Sequence, residues 1–187
     1  MIVNYLGGAS FKISQGDLSI AINPQNNRGN ADITLVSSSE FAIDGGKGFV
    51  ITGPGEYEVK DVGIKGFFSK SGDRVNTIYM ISFEGMNLCF LGALTDPELS
   101  SDTKENLEDI DMLFVPVDTM DVAAAYKLAV SLEPSVIIPM QYTNDSLKKF
   151  LKESGSEGVK PIEKLVVKKK DLDGKEGEII TLESSNE

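Results

Sequence analysis

Short apolar runs separated by turn residues fill the first half of the chain. Each run is rich in β-branched or aromatic residues and is bounded by Gly, Asn, Asp or Pro, which is the pattern of a β-strand. The predicted strands are Ile2–Leu6, Phe11–Ser14, Leu18–Asn23, Asp32–Ser37, Phe49–Thr52, Tyr57–Lys60, Gly63–Phe68, Thr77–Phe83 and Asn87–Leu91. Because they follow one another too closely for intervening helices, we expect a largely antiparallel meander.

The pattern changes after Leu94, where longer polar stretches begin to alternate with fully apolar ones. We expect helices at Pro97–Leu107, at Asp121–Leu132 and from Asn144 or Asp145 to Ser154, and buried strands at Met112–Val117 and Val136–Met140. Lys164–Lys168 and Glu178–Leu182 are predicted to pair as a closing hairpin, and residues 183–187 to form a loose tail. This order of elements predicts one α/β domain over residues 1–187, with two sheets and helices outside them.

The composition restricts the available chemistry. The chain contains no histidine and a single cysteine, Cys89, among its 187 residues. Imidazole bases, imidazole metal ligands and disulfides within the chain are therefore excluded, and so is a zinc site built from cysteine and histidine. The formal net charge is −11, and the acidic surplus lies in residues 1–147, because basic and acidic residues cancel in residues 148–187.

Charge and hydropathy also limit the partners and the location. A strongly acidic chain is not expected to bind nucleic acid or an anionic membrane. No apolar run approaches the roughly 20 residues that span a bilayer, and Met1–Leu6 lacks the basic and apolar regions of a signal peptide. We therefore predict a cytoplasmic protein with no nucleic-acid partner and no membrane partner.

Several segments, taken in order, carry a family resemblance. They are Asn4–Phe11, Ala21–Pro24, Ala31–Ser37, Thr52–Val59, Gly63–Gly66, Asn76–Tyr79, Phe90–Leu94, Val115–Val117 and Ile137–Tyr142. With these segments the chain resembles the metallo-β-lactamase fold superfamily, in particular its small hydrolase-like members. The resemblance implies an α/β fold, a four-layer αβ/βα sandwich in which two mixed β-sheets pack face to face with helices outside.

The resemblance also implies positions for metal ligands, and this chain has a different residue at every one. These positions fall at Gly8, Asn23, Ser38, Glu40, Ala42, Ile43, Lys70 or Ser71, Ala93 and Gln141. A hydrolytic zinc site needs about three protein ligands and a bound water whose pKa the metal lowers to about 7. Hydroxyls, an amide, a methyl group and the one carboxylate of Glu40 are a poor substitute, so we predict no metal and no cofactor.

These replacements predict a non-catalytic member of the family with a binding or assembly role. The resemblance makes self-association plausible, so the expected partner is a second copy in a homo-oligomer or an active relative with intact ligands. No catalytic residue is assigned. The candidate ligand-binding residues of the vacant site are Ser38, Glu40, Ser71 and Gln141.

Two alternative functions use the same part of the chain. The first is a metal-dependent hydrolase-like enzyme with a rebuilt site, in which carboxylates hold Mg²⁺ or Mn²⁺ or a serine acts as nucleophile. The candidate residues are Glu40, Asp44 and Asp96 for the metal, and Ser37, Ser38 or Ser39 with Lys70 as base for the serine site. The second alternative is a small-molecule sensor that uses the vacant pocket and holds its ligand by hydrogen bonds.

Overall fold

The structure, a computed structural model, describes residues 1–25, 31–41 and 48–185. Its strands are β1 (Ile2–Gly7), β2 (Ser10–Gln15), β3 (Leu18–Ile22), β4 (Ile33–Leu35), β5 (Phe49–Ile51), β6 (Gly55–Val59), β7 (Val62–Ser71), β8 (Arg74–Phe83), β9 (Met86–Phe90), β10 (Met112–Pro116), β11 (Val136–Met140), β12 (Leu165–Val166) and β13 (Glu178–Ile179). The α-helices are α1 (Ser101–Asn106), α2 (Val122–Ser131) and α3 (Asn144–Glu153), and 3-10 turns lie at Ser39–Phe41 and Lys169–Asp171.

The strands form two mixed sheets. The first sheet has the order β12-β1-β2-β3-β4-β5, and the second has the order β13-β11-β10-β9-β8-β7-β6. The predicted antiparallel meander is found in β1–β3 and in β6–β9. The antiparallel prediction is wrong for β4, which runs parallel to β3, and for β5, which runs parallel to β4. A parallel neighbour needs a crossover connection instead of a tight turn, and the strand pattern alone does not distinguish the two.

An aromatic cluster fixes how the two sheets face each other. Phe11 of β2, Phe90 of β9 and Phe114 of β10 are fully buried between the sheets. The ring centroid of Phe11 lies 4.8 Å from that of Phe114 and 6.2 Å from that of Phe90, both in edge-on arrangements. Burying one such side chain contributes about 1.5–3 kcal/mol. The start of β2, which carries Phe11, and the end of β9, which carries Phe90, therefore lie at the same end of the sandwich.

The helices pack on the outer face of the second sheet. Leu128 of α2 and Phe150 of α3 share a buried cluster with Leu113 of β10 and Ile137 of β11. The prediction of two mixed sheets packed face to face with helices outside is confirmed. None of the helices in the described ranges is long and apolar enough to cross a membrane.

Local capping chemistry sets the helix starts. The Asp121 carboxylate accepts a hydrogen bond from Ala124 N and caps α2 as predicted. For α3 the sequence predicts Asn144 or Asp145 as the cap, but the cap is Thr143. Its side chain accepts from Ser146 N, while the Ser146 hydroxyl accepts from Thr143 N. This reciprocal pair satisfies two backbone donors that the first turn leaves open.

The closing hairpin is not formed. Strand β12 pairs antiparallel with β1 in the first sheet, whereas β13 pairs parallel with β11 in the second. Both segments have the apolar content of a strand, but the pattern does not specify the partner. Residues 183–185, placed in the predicted loose tail, are hydrogen-bonded: Glu183 N donates to Ile162 O and Ser185 N to Tyr5 O. Residues 186–187 lie outside the described ranges.

The carboxylate of Asp32, the residue directly before β4, anchors the start of that strand. Asp32 Oδ1 accepts from Lys60 Nζ at 2.6 Å, and Asp32 Oδ2 accepts from the backbone and hydroxyl of Ser19 at 2.9 and 3.0 Å. The Lys60 ammonium, with help from Ser19, lowers the pKa of Asp32 from its usual 3.8 to about 2. The ionised carboxylate thus joins β3, β4 and the turn after β6.

We expect this anchor to make folding stability depend on acidity. Because the pKa of Asp32 is lower in the folded state, its contribution is complete above about pH 4 and is lost as the pH falls towards 2. Urea unfolding of the native chain and of Asp32→Asn at pH 5 and pH 2.5 measures the effect. The stability gap between the two proteins should be larger at pH 5, and an equal gap at both pH values would contradict the assignment.

Candidate functional site

Most positions that the resemblance assigns to metal ligands lie at one edge of the sandwich. The carboxyl ends of β3 and β4 in the first sheet and of the parallel strands β9, β10 and β11 in the second meet there, beside the Phe11 cluster. We call this the site edge. Its members follow β1, β3, β4, β9 and β11, and they are Gly8, Asn23, Ser38, Ala93 and Gln141.

The chain crosses between the sheets directly after β4. Val36 N still donates to Ile51 O in the first sheet, but Ser37 O accepts from Thr77 N of β8 at 2.7 Å. Ser38 then forms an antiparallel bridge with Asn76. We call residues 37–39 the crossing segment. Strand β9 pairs with β8 only as far as Phe90, opposite Tyr79, and beyond that point the crossing segment lies beside β8 instead. Backbone hydrogen bonds therefore hold Ser38 in the second sheet.

The three serines of the crossing segment have different surroundings. The Ser37 hydroxyl accepts from Asn23 Nδ2 at 2.9 Å, and Ser37 N donates to Asn23 Oδ1 at 2.8 Å. Ser39 is exposed. Ser38 is only 3% exposed, and its hydroxyl has no hydrogen-bond partner in the described structure. An unpaired buried hydroxyl costs about 1–3 kcal/mol, so this atom needs an explanation.

Glu40 lies in the 3-10 turn that follows and is engaged by a cation. Its Oε2 accepts from Arg74 Nη1 at 3.0 Å, and the Glu40 side chain is 30% exposed. Arg74 is the first residue of β8 and pairs with Ser71, the last residue of β7. A metal ion at Glu40 would therefore compete with this ion pair.

Gln141 occupies the other end of the site edge. Its backbone N donates to Gly8 O at 2.9 Å, and its backbone O accepts from Asp118 N at 2.8 Å. Its φ is 48°, in the left-handed region, and its side-chain Oε1 is buried without a partner. Beside it, Tyr5 donates to Gly8 O at 3.0 Å, and burial raises the pKa of Tyr5, so this hydroxyl stays neutral.

The structure brings three of the four candidate ligand-binding residues to the β7–β8 hairpin. Ser38 reaches it through Asn76, Glu40 through Arg74, and Ser71 is part of it. Gln141 follows β11, two strand positions from the place that Ser38 takes. The backbone of Gln141 is bonded to Gly8 and Asp118, not to the β7–β8 hairpin.

Sequence reasoning missed Asn76, a fully buried residue at the centre of this arrangement. Its Nδ2 donates to Ser69 Oγ at 2.7 Å and to Leu91 O at 2.9 Å, and its Oδ1 accepts from Ala93 N at 2.8 Å. The predicted strand began one residue later, at Thr77. An asparagine directly before an apolar run was a usable signal, since asparagine is depleted in strand interiors and must be hydrogen-bonded when buried.

The donors of the site edge do not fit the metal centre that the resemblance implies. Within the part of the chain that the structure describes, no three His, Cys, Asp or Glu side chains are grouped to hold a metal ion. The Asp96 carboxylate accepts a hydrogen bond from Glu98 N in its own loop at 2.9 Å. Hydroxyl and amide oxygens bind transition metals weakly without stronger donors beside them. Three further candidates lie outside the described residues: Ala42, Ile43 and Asp44.

Two other reactive side chains differ from those of this edge. Lys70, the predicted base, is exposed on β7, and the Ser38 hydroxyl has no hydrogen-bond partner in the described structure. Cys89 is fully buried within β9, where burial raises the pKa of its thiol. Neither group is placed to act as a base or a nucleophile beside the crossing segment.

Comparison with known proteins identifies relatives of this architecture. A family model described as the β-lactamase superfamily domain matches residues 2–141. A structure from Thermotoga maritima, described as a proposed zinc-dependent hydrolase of the metallo-β-lactamase superfamily, is 26% identical, with 97% of each chain covered and a TM-score of 0.81. A proposed metal-dependent hydrolase from Parabacteroides distasonis is 19% identical, with 97% and 93% covered and a TM-score of 0.66.

A third structure, a metallo hydrolase from Ignicoccus hospitalis, is 18% identical, with 89% of this chain and 99% of that chain covered and a TM-score of 0.65. No curated protein matches the chain. These hydrolase descriptions overturn the prediction of a non-catalytic binding or assembly protein. They support better the alternative of a hydrolase-like enzyme with a rebuilt site.

The close fit of Gly92 against Asn76 provides a test of the edge. Gly92 has φ 65°, and a Cβ there would overlap Asn76 Oδ1, whereas Gly85 has φ 72° and an open surrounding. We expect Gly85→Ala to cost about 1 kcal/mol for the left-handed backbone, and Gly92→Ala about 3 kcal/mol because overpacking is added. Urea unfolding measures both. Equal losses of unfolding free energy in the two variants would show that Asn76 does not pack tightly against Gly92.

Proposed function

Because the chain belongs to the β-lactamase superfamily, we propose that it is a hydrolase-like enzyme whose site edge has been rebuilt without histidine. One observation carries this proposal: the Ser38 hydroxyl is buried and unpaired on the segment that the resemblance assigns to metal ligands. Unsatisfied polar groups in folded proteins often have a catalytic role, a bound water or a ligand as their partner. The descriptions of the similar structures support hydrolysis as the class of reaction.

Ser38 is the candidate nucleophile of this site. In hydrolysis its Oγ would bond to the electrophilic atom of the substrate, the leaving group would depart with a proton, and water would then release the product and restore the hydroxyl. Glu40 is the described carboxylate nearest to Ser38 along the chain, one 3-10 turn away, and it would take the proton. Since Ser38 is almost fully buried, the rim of the edge must open for the substrate to reach it.

A metal-dependent version of the same enzyme would use Glu40 differently. Mg²⁺ and Mn²⁺ sites often need only one or two carboxylates and complete their shells with water and substrate. Glu40 is the one carboxylate that the described residues place directly after the crossing segment, and Arg74 already engages it. We therefore rank this version second to the serine site.

The cytoplasmic location, the single domain and the homo-oligomer or active-relative partner are also proposals. The single domain rests on the order of elements, and the partner rests on the resemblance. The common core of the two sheets, built around Phe11, Phe90 and Phe114, supports the single domain.

An activity screen tests the proposed function. The substrates are phosphoesters, lactones and lactams, each with EDTA and with added Mg²⁺ or Mn²⁺. For the serine site we expect turnover in EDTA, lowered at least about 100-fold by Ser38→Ala and by Glu40→Gln. Ser39→Ala is the matched control and should retain the native rate, because Ser39 is exposed.

A second control separates the carboxylate from its ion pair. Arg74→Gln removes the same ion pair as Glu40→Gln but leaves the carboxylate, so it should lower the rate much less. Turnover that needs Mg²⁺ or Mn²⁺ and survives Ser38→Ala would replace the serine site by the metal version. A chain with no activity on any of these substrates, or full activity in Ser38→Ala, would refute the proposal as stated.

A further inference from the structure

We infer that Asn76 is a positioning residue that holds the site edge together by hydrogen bonds, at positions that the resemblance assigns to metal ligands. The inference rests on the proposed function only for its activity measurement. Its structural content is that Asn76 joins two segments: its side-chain amide holds the loop of Ala93, and its backbone pairs with the segment of Ser38.

The side chain of Asn76 uses both of its polar atoms inside the protein. Three hydrogen bonds of 2.7–2.9 Å connect it to Ser69 on β7 and to the loop after β9 at Leu91 and Ala93. The residue is fully buried, so no water competes for these bonds. Buried hydrogen bonds of this kind are costly to lose, because each leaves a desolvated donor or acceptor.

The backbone of Asn76 supports the candidate nucleophile on its other side. Asn76 and Ser38 form an antiparallel bridge, and the neighbouring Thr77 N donates to Ser37 O. One residue therefore touches the hairpin, the loop of Ala93 and the segment of Ser38. A shift of Asn76 would move the Ser38 hydroxyl relative to the rest of the edge.

The surroundings of Asn76 accept only an amide. A donor is needed for Leu91 O and an acceptor for Ala93 N, which an amide supplies and a carboxylate or an alkyl group does not. Gly92 lies so close that any side chain there would overlap Asn76 Oδ1. The loop is therefore fitted to this particular side chain.

A second asparagine holds the same segment from the first sheet. Asn23 exchanges two hydrogen bonds with Ser37, from Asn23 Nδ2 to Ser37 Oγ and from Ser37 N to Asn23 Oδ1. Asn23 has φ 45°, a left-handed conformation that asparagine tolerates better than most residues. The crossing segment is thus held between the Asn23 side chain on one side and the backbone of β8 at Asn76 and Thr77 on the other, and these contacts need no bound cation.

Thermal unfolding and hydrogen exchange test this inference without reference to activity. Asn76→Asp keeps the size and the acceptor but loses the donors, and we expect it to lower Tm by at least about 5 °C. Asn87→Asp is the matched control, because Asn87 also makes two side-chain hydrogen bonds but lies partly exposed at the opposite end of the second sheet. It should lower Tm by less than about 2 °C.

Hydrogen exchange distinguishes loosening of the edge from general destabilisation. The amide of Ala93, which donates to Asn76 Oδ1, should exchange at least about tenfold faster in Asn76→Leu, which keeps the approximate size of the side chain but removes that acceptor. The amide of Val117, which donates to Met140 O nearby, should change much less under the same native conditions. Equal acceleration at both amides, or none at Ala93, would refute the positioning role.

Added metal provides the opposing test. If the amides hold the edge, 1 mM Zn²⁺ or Mn²⁺ should leave Tm of the native chain unchanged, whereas a metal that binds only the folded state would raise it. A rise in Tm of the native chain with either metal would overturn the inference.

With a substrate from the screen, Asn76→Asp should lower kcat about tenfold or more and change KM little, because misplacement acts on the reacting geometry. A variant with native kcat would also contradict the role. Failure to find any substrate would count against the proposed function alone, because unfolding and exchange would still decide the inference.

Discussion

The arrangement of the site edge depends on one backbone crossing between the two sheets. After β4 the backbone changes its hydrogen-bond partner within two residues. Val36 is still bonded to Ile51 of the first sheet, whereas Ser37 and Ser38 pair with β8 of the second sheet. Tyr79 reinforces the crossing by donating from its buried hydroxyl to Val36 O at 2.9 Å, and burial raises the pKa of that hydroxyl. Buried backbone groups must be paired, so the crossing leaves Ser37 and Ser38 little freedom. The positions of Asn23, Asn76 and Glu40 follow from it.

Much of the fold could be predicted because its signals are local. The alternating pattern of Phe11–Ser14 and the apolar run of Thr77–Phe83 identify strands, and Gly16 and Gly85 mark the turns that join β2 to β3 and β8 to β9. Pairing partners were harder to predict because they depend on distant residues. The pattern of Lys164–Lys168 does not reveal that its partner is β1 and not the neighbouring segment.

The candidate site residues and their chemistry stay predictions, although their places along the chain follow from the sequence. Ser38 comes after β4 and Gln141 directly after β11, and a chain without histidine has no imidazole ligands. The step from missing ligands to a missing activity was wrong, since the absence of one chemistry does not exclude another. Asn76 was not recognised because its role depends on hydrogen bonds to Leu91 and Ala93, which are distant in sequence.

The pairing of the last strands has a consequence for synthesis. Strand β12 completes the first sheet beside β1, and β13 completes the second beside β11. Neither sheet can reach its final width on the ribosome until residues 165–179 have emerged. Until then β1 and β11 each present an open edge, which is where unfinished chains associate wrongly. A chain stalled after α3 would therefore be expected to need protection by a chaperone.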